Sequence, residues 1–194
     1  MNQSKMIVPI LLGTARTDRE SEKVAEYVKE RMLEYGFETQ IVDARDHMLD
    51  RTIPNWQDAE PSKEWAEIMT EADGLMIVAP EYNHGFPGEF KIVFDQLFKE
   101  YKKKPVSICS VSSGGFGGTR MIEQIWSVVL AAQMVPTSFA VHFSNVKDLF
   151  DGDGEMLDEE RDSFDKRVKK MLEETDWYAK ALKAAREKGE EKEV

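Results

Sequence analysis

The chain has 194 residues, 41% of them hydrophobic, which is enough apolar side chain for one sizeable core and too much for a disordered chain. Its 26 lysines and arginines stand against 37 acidic residues, and the resulting net charge of −11 disfavours general binding to nucleic-acid backbones. The single Cys109 excludes an internal disulfide and a multi-cysteine metal site, and no apolar run approaches the roughly 18 residues of a membrane span. We therefore expect a soluble, cytoplasmic, single-domain protein without a metal centre.

Apolar runs and helical patterns alternate along the first three quarters of the chain. Pro9 lies inside the first apolar run and counts against a central position for that strand. Ser21 is expected to cap the first helix and Gly36 to end it. The pattern predicts strands over 6–12, 37–42, 74–79, 105–111 and 136–143, with helices over 21–35, 64–72, 89–101 and 119–134. This alternation predicts an α/β fold with a mainly parallel sheet.

The composition changes after residue 147. A loop-like stretch leads into a charged helical pattern over 159–186, and the last residues, 187–194, are expected to fray. Trp177 and Tyr178 are too apolar for a fully solvated tail. We expect residues 1–147 to form the domain, and residues 148–194 to form an extension packed on that domain or on a partner subunit.

Three unusual loops follow predicted strands, and ligands of open parallel sheets bind beyond the carboxyl ends of the strands. The first loop, residues 13–21, combines hydroxyl groups with Arg16, Arg19 and the start of a helix, which together could hold a phosphate. It lacks the Walker and dinucleotide glycine patterns. A polar loop with an ordinary serine cap is the alternative, and no role is assigned to Arg19.

The second loop, residues 79–88, has two prolines and two glycines that fix its shape. Its Tyr82, Asn83, His84 and Phe86 offer stacking surface and hydrogen bonds to a flat heterocycle, or else they cap the core. The third loop, residues 112–119, surrounds Phe116 with four glycines, so that backbone amides can approach a planar ligand closely. A flexible lid is the alternative for this loop.

In their order, these three segments resemble the NADPH-dependent FMN reductase family of the flavodoxin-like superfamily. The most specific match is Pro80-Glu81-Tyr82-Asn83, with support from Gly13-Thr14-Ala15-Arg16, Ser21 and Ser112-Ser113-Gly114-Gly115. The resemblance implies a flavodoxin-like three-layer sandwich with a five-stranded parallel sheet in the order 2-1-3-4-5.

The resemblance also implies one bound FMN and, as substrate, NADPH or NADH. Thr14, Arg16 and Ser21 would hold the phosphate; Pro80, Glu81, Tyr82 and Asn83 would line the isoalloxazine; Ser112, Gly114 and Gly115 would approach its pyrimidine side. No side chain need act as acid or base, because the flavin supplies the chemistry. We therefore name no catalytic residue and no metal ligand.

The implied function is hydride transfer from NAD(P)H to FMN and onward to a quinone, flavin, azo compound or similar small acceptor by a ping-pong mechanism. A flavodoxin-like electron carrier without pyridine-nucleotide activity and a flavin-free module of the same fold are the alternatives. We also expect a homodimer or homotetramer, with the helix over 89–101 at an interface because five large apolar residues exceed what one buried face needs. Cys109 is expected to be an inert core residue.

Overall fold

The computed structural model describes residues 5–57 and 60–189, and its strands form one parallel sheet. The strands are β1 Ile10–Leu12, β2 Ile41–Asp43, β3 Leu75–Pro80, β4 Pro105–Val111, β5 Val135–Pro136 and β6 Val141–Phe143. Their order is β2-β1-β3-β4-β5, and β6 also pairs with β4. Every pair is parallel. The predicted order 2-1-3-4-5 is confirmed, with β5 and β6 as two parts of the last predicted strand.

Five helices cover the two faces of the sheet. They are α1 Ser21–Tyr35, α2 Glu60–Glu71, α3 Gly88–Phe94, α4 Thr119–Ala131 and α5 Asp158–Glu187. The buried residues of α1 and α5 share one hydrophobic cluster with one face of the sheet, and those of α2, α3 and α4 share a second cluster with the other face. This is the predicted three-layer sandwich. Within residues 5–57 and 60–189, no helix combines the length and apolar character needed to cross a membrane.

Pro9 occupies a central strand region, so the expectation drawn from its missing donor is wrong. Its neighbours Val8 and Ile10 donate their amides to the β2 side, and the Pro9 carbonyl accepts from Met76 N on the β3 side at 2.9 Å. Proline removes one ladder donor here, but the bonds on either side of it hold the chain between its two neighbours.

The predicted helix over 89–101 is shorter in the structure, and the predicted strand over 136–143 is interrupted. Helix α3 stops at Phe94, and Tyr101 then folds back so that its ring stacks on Phe94 at 4.3 Å and its hydroxyl donates to Phe94 O. The last strand is interrupted after β5, where the Glu174 carboxylate of α5 accepts hydrogen bonds from the amides of Ser138 and Phe139. The first change involves residues seven apart in the chain, and the second depends on a contact between residues 35 and 36 apart.

The helix termini and the C-terminal segment give mixed outcomes. Gly36 ends α1 as predicted, with φ 112° and its amide donating to Met32 O and Leu33 O. Ser21 is not the cap, because Glu20 precedes the helix and Ser21 lies in the first turn. Trp177 is 65% exposed and is not docked on its own subunit. The expected fraying of the tail concerns mainly residues 190–194, which lie outside the described residues.

Cys109 and the apolar residues of the α3 region are buried within the subunit. Burial raises the pKa of the Cys109 thiol, as expected for an inert core residue. Phe90, Val93, Phe94 and Leu97 are all buried, and only Phe98 is substantially exposed, at 37%. The large apolar content of this segment is therefore accounted for inside one chain, which removes the main argument for placing it at a subunit interface.

Candidate functional site

The three loops singled out by the sequence meet at the carboxyl edge of the sheet. Thr14 Oγ1 lies 3.2 Å from the Tyr82 hydroxyl and joins the first loop to the second. Glu81 N donates to Val111 O at 2.9 Å and joins the second loop to the end of β4, which leads into the third. The structure thus brings all the predicted site segments to one edge.

Polar groups without partners distinguish the first loop. Ser21 is 1% exposed, and its Oγ makes no hydrogen bond within the described part of the chain. Arg16 is exposed, and its guanidinium lies 5.4 Å from the centroid of the Tyr82 ring without an ion pair among the described residues. A buried hydroxyl needs a partner, and a helix N-terminus favours an anion. The residues present therefore fit a phosphate group.

Arg19, which the sequence left without a role, supports the first loop from behind. It is buried and donates to Thr14 O and to both carboxylate oxygens of Asp43. Burial alone would lower the pKa of Arg19, but the hydrogen bond and charge of Asp43 outweigh it and raise that pKa. Burial alone would raise the pKa of Asp43, but the bonds from Arg19 and Arg45 N hold it below its ordinary value.

Arg45 is a second supporting residue that the sequence analysis did not select. Its side chain donates to Ala15 O at 3.4 Å and to Arg16 O at 2.7 Å. Asp43 and Arg45 lie at the end of β2, whose carboxyl end belongs to the same edge as the three loops. That position was the signal available in the sequence, because strand ends are where such sheets bind ligands.

The second loop is a tight turn fastened to α4. Tyr82 and Gly85 exchange backbone hydrogen bonds of 2.9 and 3.0 Å, and between them Asn83 and His84 adopt positive φ angles of 48° and 68°. Asparagine is among the few residues that tolerate this conformation readily. Gln124 of α4 donates to His84 O at 2.7 Å.

Glu81 also faces α4, with its side chain accepting from Met121 N at 3.3 Å and from Arg120 at 3.5 Å. Its carboxylate therefore stabilises the start of that helix, and a contact with a bound ring would use its backbone. Pro80 precedes it as the buried last residue of β3. An open groove of about 520 Å³ lies beside this loop, lined by Arg16, Glu81, Tyr82, Asn83 and Glu89.

The third loop contains a glycine that the fold requires and glycines that are exposed to solvent. A Cβ on Gly118, whose φ is 80°, would stand 2.8 Å from Ser110 Cβ, so only glycine fits there. Gly114 and Gly115 are exposed, and a Cβ on Gly115 would meet nothing within 4 Å. Ser112 Oγ accepts from Gly114 N at 3.1 Å. Phe116 stands 75% exposed, with the Arg120 guanidinium 5.1 Å from its ring centroid.

The edge is therefore suited to a flat ligand with one anionic group. The first loop offers an unpaired cation and a buried hydroxyl, while the second and third offer a shaped turn, open backbone and an aromatic surface. No group of three potential metal ligands converges within the ranges 5–57 and 60–189.

Comparison with known proteins is consistent with this chemistry. The model of the NADPH-dependent FMN reductase family matches residues 6–177. The chain is similar to the NAD(P)H-dependent FMN reductase LOT6 of Saccharomyces cerevisiae, at 29% identity over 66% of this chain and 76% of the relative. It is also similar to an FMN-dependent NADPH-azoreductase of Staphylococcus saprophyticus, at 26% identity over 78% of this chain and 85% of the relative.

A solved structure shows the same fold at lower sequence identity. The flavoenzyme NAD(P)H:(acceptor) oxidoreductase FerB of Paracoccus denitrificans superimposes with a TM-score of 0.74 and 18% identity, over 89% of this chain and 98% of FerB.

Proposed function

This chain belongs to the NADPH-dependent FMN reductase family, and we propose that the three loops at the carboxyl edge of its sheet bind one FMN. Its relatives identify it as an oxidoreductase that uses FMN and NAD(P)H. The observation that supports this placement most directly is the buried Ser21 hydroxyl, which has no partner in the ranges 5–57 and 60–189, in the same loop as Arg16, which has no ion pair there.

Thr14, Arg16 and Ser21 hold the phosphate in this proposal. Arg16 supplies the positive charge, because it is the arginine of the loop without a carboxylate partner among the described residues. The Ser21 hydroxyl and the start of α1 supply hydrogen bonds and partial positive charge. A charge-assisted bond to phosphate is short and about twice as strong as a neutral one, so Arg16 contributes more to the affinity than either hydroxyl group does.

Pro80, Glu81, Tyr82 and Asn83 line one side of the ring, and Ser112, Gly114 and Gly115 border its pyrimidine side. When bound, FMN supplies the redox chemistry, accepting hydride from NAD(P)H and passing electrons to an acceptor. The chain binds and orients the ring, and backbone amides of the third loop donate to its polar edge where negative charge develops. No side chain is assigned a role as acid or base.

We propose a ping-pong order, in which NAD(P)H leaves before the acceptor binds. The open groove beside Tyr82 and Asn83 is also lined by Arg16, so in this proposal it holds the flavin, and the two substrates use the same exposed face of the ring in turn. Flat acceptors such as quinones, azo compounds and free flavins suit an edge of the sheet that carries Tyr82 in its second loop and the exposed Phe116 in its third. The azoreductase relatives support an acceptor of this class.

Anaerobic titration of the holoprotein tests the function. We expect the extracted chromophore to be FMN, and NADPH or NADH to bleach the bound flavin without any partner reductase. A quinone or azo dye added after the nucleotide has been removed should then restore the absorbance of the oxidised flavin. A flavin that resists direct bleaching by both nucleotides would contradict the proposal and indicate an electron carrier; failure of the protein to bind FMN after reconstitution would indicate a flavin-free module.

We retain a homodimer or homotetramer as a proposal, with a different set of supporting residues. Phe98, which follows α3, is 37% exposed, and Leu130 of α4 is 57% exposed, so these two residues take the place of the buried Phe90, Val93, Phe94 and Leu97 in this proposal. Sedimentation at micromolar concentration is the test. We expect Phe98→Lys combined with Leu130→Lys to shift the assembly towards monomer, and a monomeric wild-type holoprotein would contradict it.

A further inference from the structure

Three consecutive carbonyl oxygens of the first loop accept hydrogen bonds from two arginines. Arg19 binds Thr14 O, while Arg45 binds Ala15 O and Arg16 O. Both arginines are in turn anchored at the end of β2, because Asp43 accepts from the Arg19 side chain and from Arg45 N at 2.9 Å. We name these residues, Arg19, Asp43 and Arg45, the carbonyl clamp.

The clamp determines where the amides of the loop point. In a trans peptide the carbonyl and the following N–H lie on opposite sides, and no described peptide bond is cis. With the three carbonyls directed at the arginines, the amides of Ala15, Arg16 and Thr17 are directed away from them. The amide of Arg16 donates to Thr14 Oγ1 at 3.3 Å, and that hydroxyl also contacts the Tyr82 hydroxyl of the second loop. The amides of Ala15 and Thr17 are therefore the ones that this arrangement leaves for an anion.

Successive amides on one side of a loop form a concave binding surface for an anion. The clamp arginines are unsuited to be the anion's own charge partners. Arg19 forms ion pairs with Asp43 and Glu22, and Arg45 approaches Glu22 at 4.0 Å. The charges of the two arginines are balanced by those of Asp43 and Glu22. The clamp therefore adds no net positive charge to attract an anion, and its effect comes from the backbone amides that it orients.

We propose that Arg19, Asp43 and Arg45 are positioning residues that orient the amides of the first loop towards the flavin phosphate. This inference rests on the proposed FMN site and adds to it a mechanism for selecting a phosphorylated flavin. The clamp must then contribute to the affinity for FMN and contribute nothing to the affinity for riboflavin, which has the same ring and no phosphate.

The test measures dissociation constants of the full-length chain for FMN and for riboflavin by flavin fluorescence. Arg45→Ala removes the exposed part of the clamp, and we expect it to raise the FMN constant roughly tenfold, the loss of about one hydrogen bond to a charged group. The riboflavin constant should not change. Arg19→Lys keeps the charge but cannot span Thr14 O and Asp43 as a planar fork does, and it should shift the ratio in the same direction.

Arg186→Ala is the matched control. Arg186 also donates to a loop carbonyl, Lys103 O, and also approaches an aspartate, Asp73, but at the opposite edge of the sheet. Its loss should leave the ratio of the two constants unchanged. If the wild type prefers FMN, and the ratio of the riboflavin and FMN dissociation constants is unchanged in Arg45→Ala and Arg19→Lys, the positioning role of the clamp is wrong and the FMN site stands. Equal binding of both flavins by the wild type would overturn the phosphate cradle and the clamp with it.

Discussion

The two edges of the sheet use the same kinds of residues and differ in what is left unpaired. At the amino edge, Asp73 is 3% exposed, accepts hydrogen bonds from Ile7 N and from Lys183 at 3.0 Å, and forms an ion pair with Arg186 at 3.5 Å. At the carboxyl edge, Asp43 likewise pairs with Arg19, but Arg16 and the Ser21 hydroxyl have no such partners among the described residues. Arginines that hold backbone carbonyls occur at both edges, and a buried hydroxyl without a partner also occurs at Thr39, before β2. What sets the carboxyl edge apart is that its unpartnered Ser21 hydroxyl shares a loop with Arg16, a cation without an ion pair among the described residues.

The largest effect is expected at the amino edge, where a substitution should lower the stability of the fold without changing FMN binding at the carboxyl edge. Asp73→Ala leaves two cations and a buried amide without their acceptor. We expect the free energy of unfolding to fall by about 3 kcal/mol, the lower end for a broken buried ion pair because Lys183 and Arg186 still reach solvent. Urea unfolding measures the loss. An FMN dissociation constant that worsened in the folded variant would contradict the division between the two edges.

The reverse effect is expected at Arg16. Arg16→Ala should weaken FMN binding by about 1.5–3 kcal/mol, or roughly ten- to a hundredfold, because a charged hydrogen bond to phosphate is lost. Stability without FMN should stay the same. Arg167→Ala is the control, since Arg167 is also an exposed guanidinium over an aromatic ring, that of Phe164 at 4.6 Å. Equal FMN binding by Arg16→Ala and wild type would show that the phosphate lies elsewhere.

Two glycines of the third loop are expected to have different roles. Gly118 is needed for the fold, and Gly115 is placed to face the ligand. In Gly118→Ala the alanine must adopt the positive φ of this position, and its Cβ would lie too close to Ser110. The free energy of unfolding should therefore fall by about 1–3 kcal/mol. Gly115→Ala meets no atom within 4 Å and should leave stability nearly unchanged. If Gly115 faces the flavin, its added methyl group should weaken FMN binding. Thermal unfolding measures the stability of both variants, and FMN titration measures their binding. Equal destabilisation by the two substitutions would contradict the different roles assigned to the two glycines.

The smallest effect concerns pH. The pKa of Asp43 is lowered in the fold from its ordinary value of 3.8, so its ion pair stabilises the fold above that value and is lost as the pH falls through the lowered pKa. The stability difference between wild type and Asp43→Asn should be constant from about pH 7 to pH 5 and shrink below about pH 4. Asp162→Asn, which breaks an exposed pair with Lys166, should differ little from wild type throughout. A difference for Asp43→Asn that persists unchanged at pH 3 would exclude this ion pair as its source.

The sequence predicted the layers and the edge that bears the loops, because apolar runs and helical spacing are local patterns. It predicted β4 over 105–111 and α1 over 21–35 with the bounds observed. Helix α2 begins at Glu60 rather than 64, because proline at the first turn costs no hydrogen bond. The carbonyl clamp was missed because the contacts that join β2 to the first loop link residues 24 to 30 apart in the chain. The Ser21 assignment as a cap was wrong, yet the same hydroxyl remains a predicted phosphate ligand.

A crystal structure of the FMN-bound protein tests the central claim most directly. The account predicts the flavin phosphate within hydrogen-bond distance, about 3 Å, of Ser21 Oγ, with the Arg16 guanidinium against it and the ring between the second and third loops. A phosphate bound at any other position, with Ser21 Oγ still lacking a partner, would contradict it.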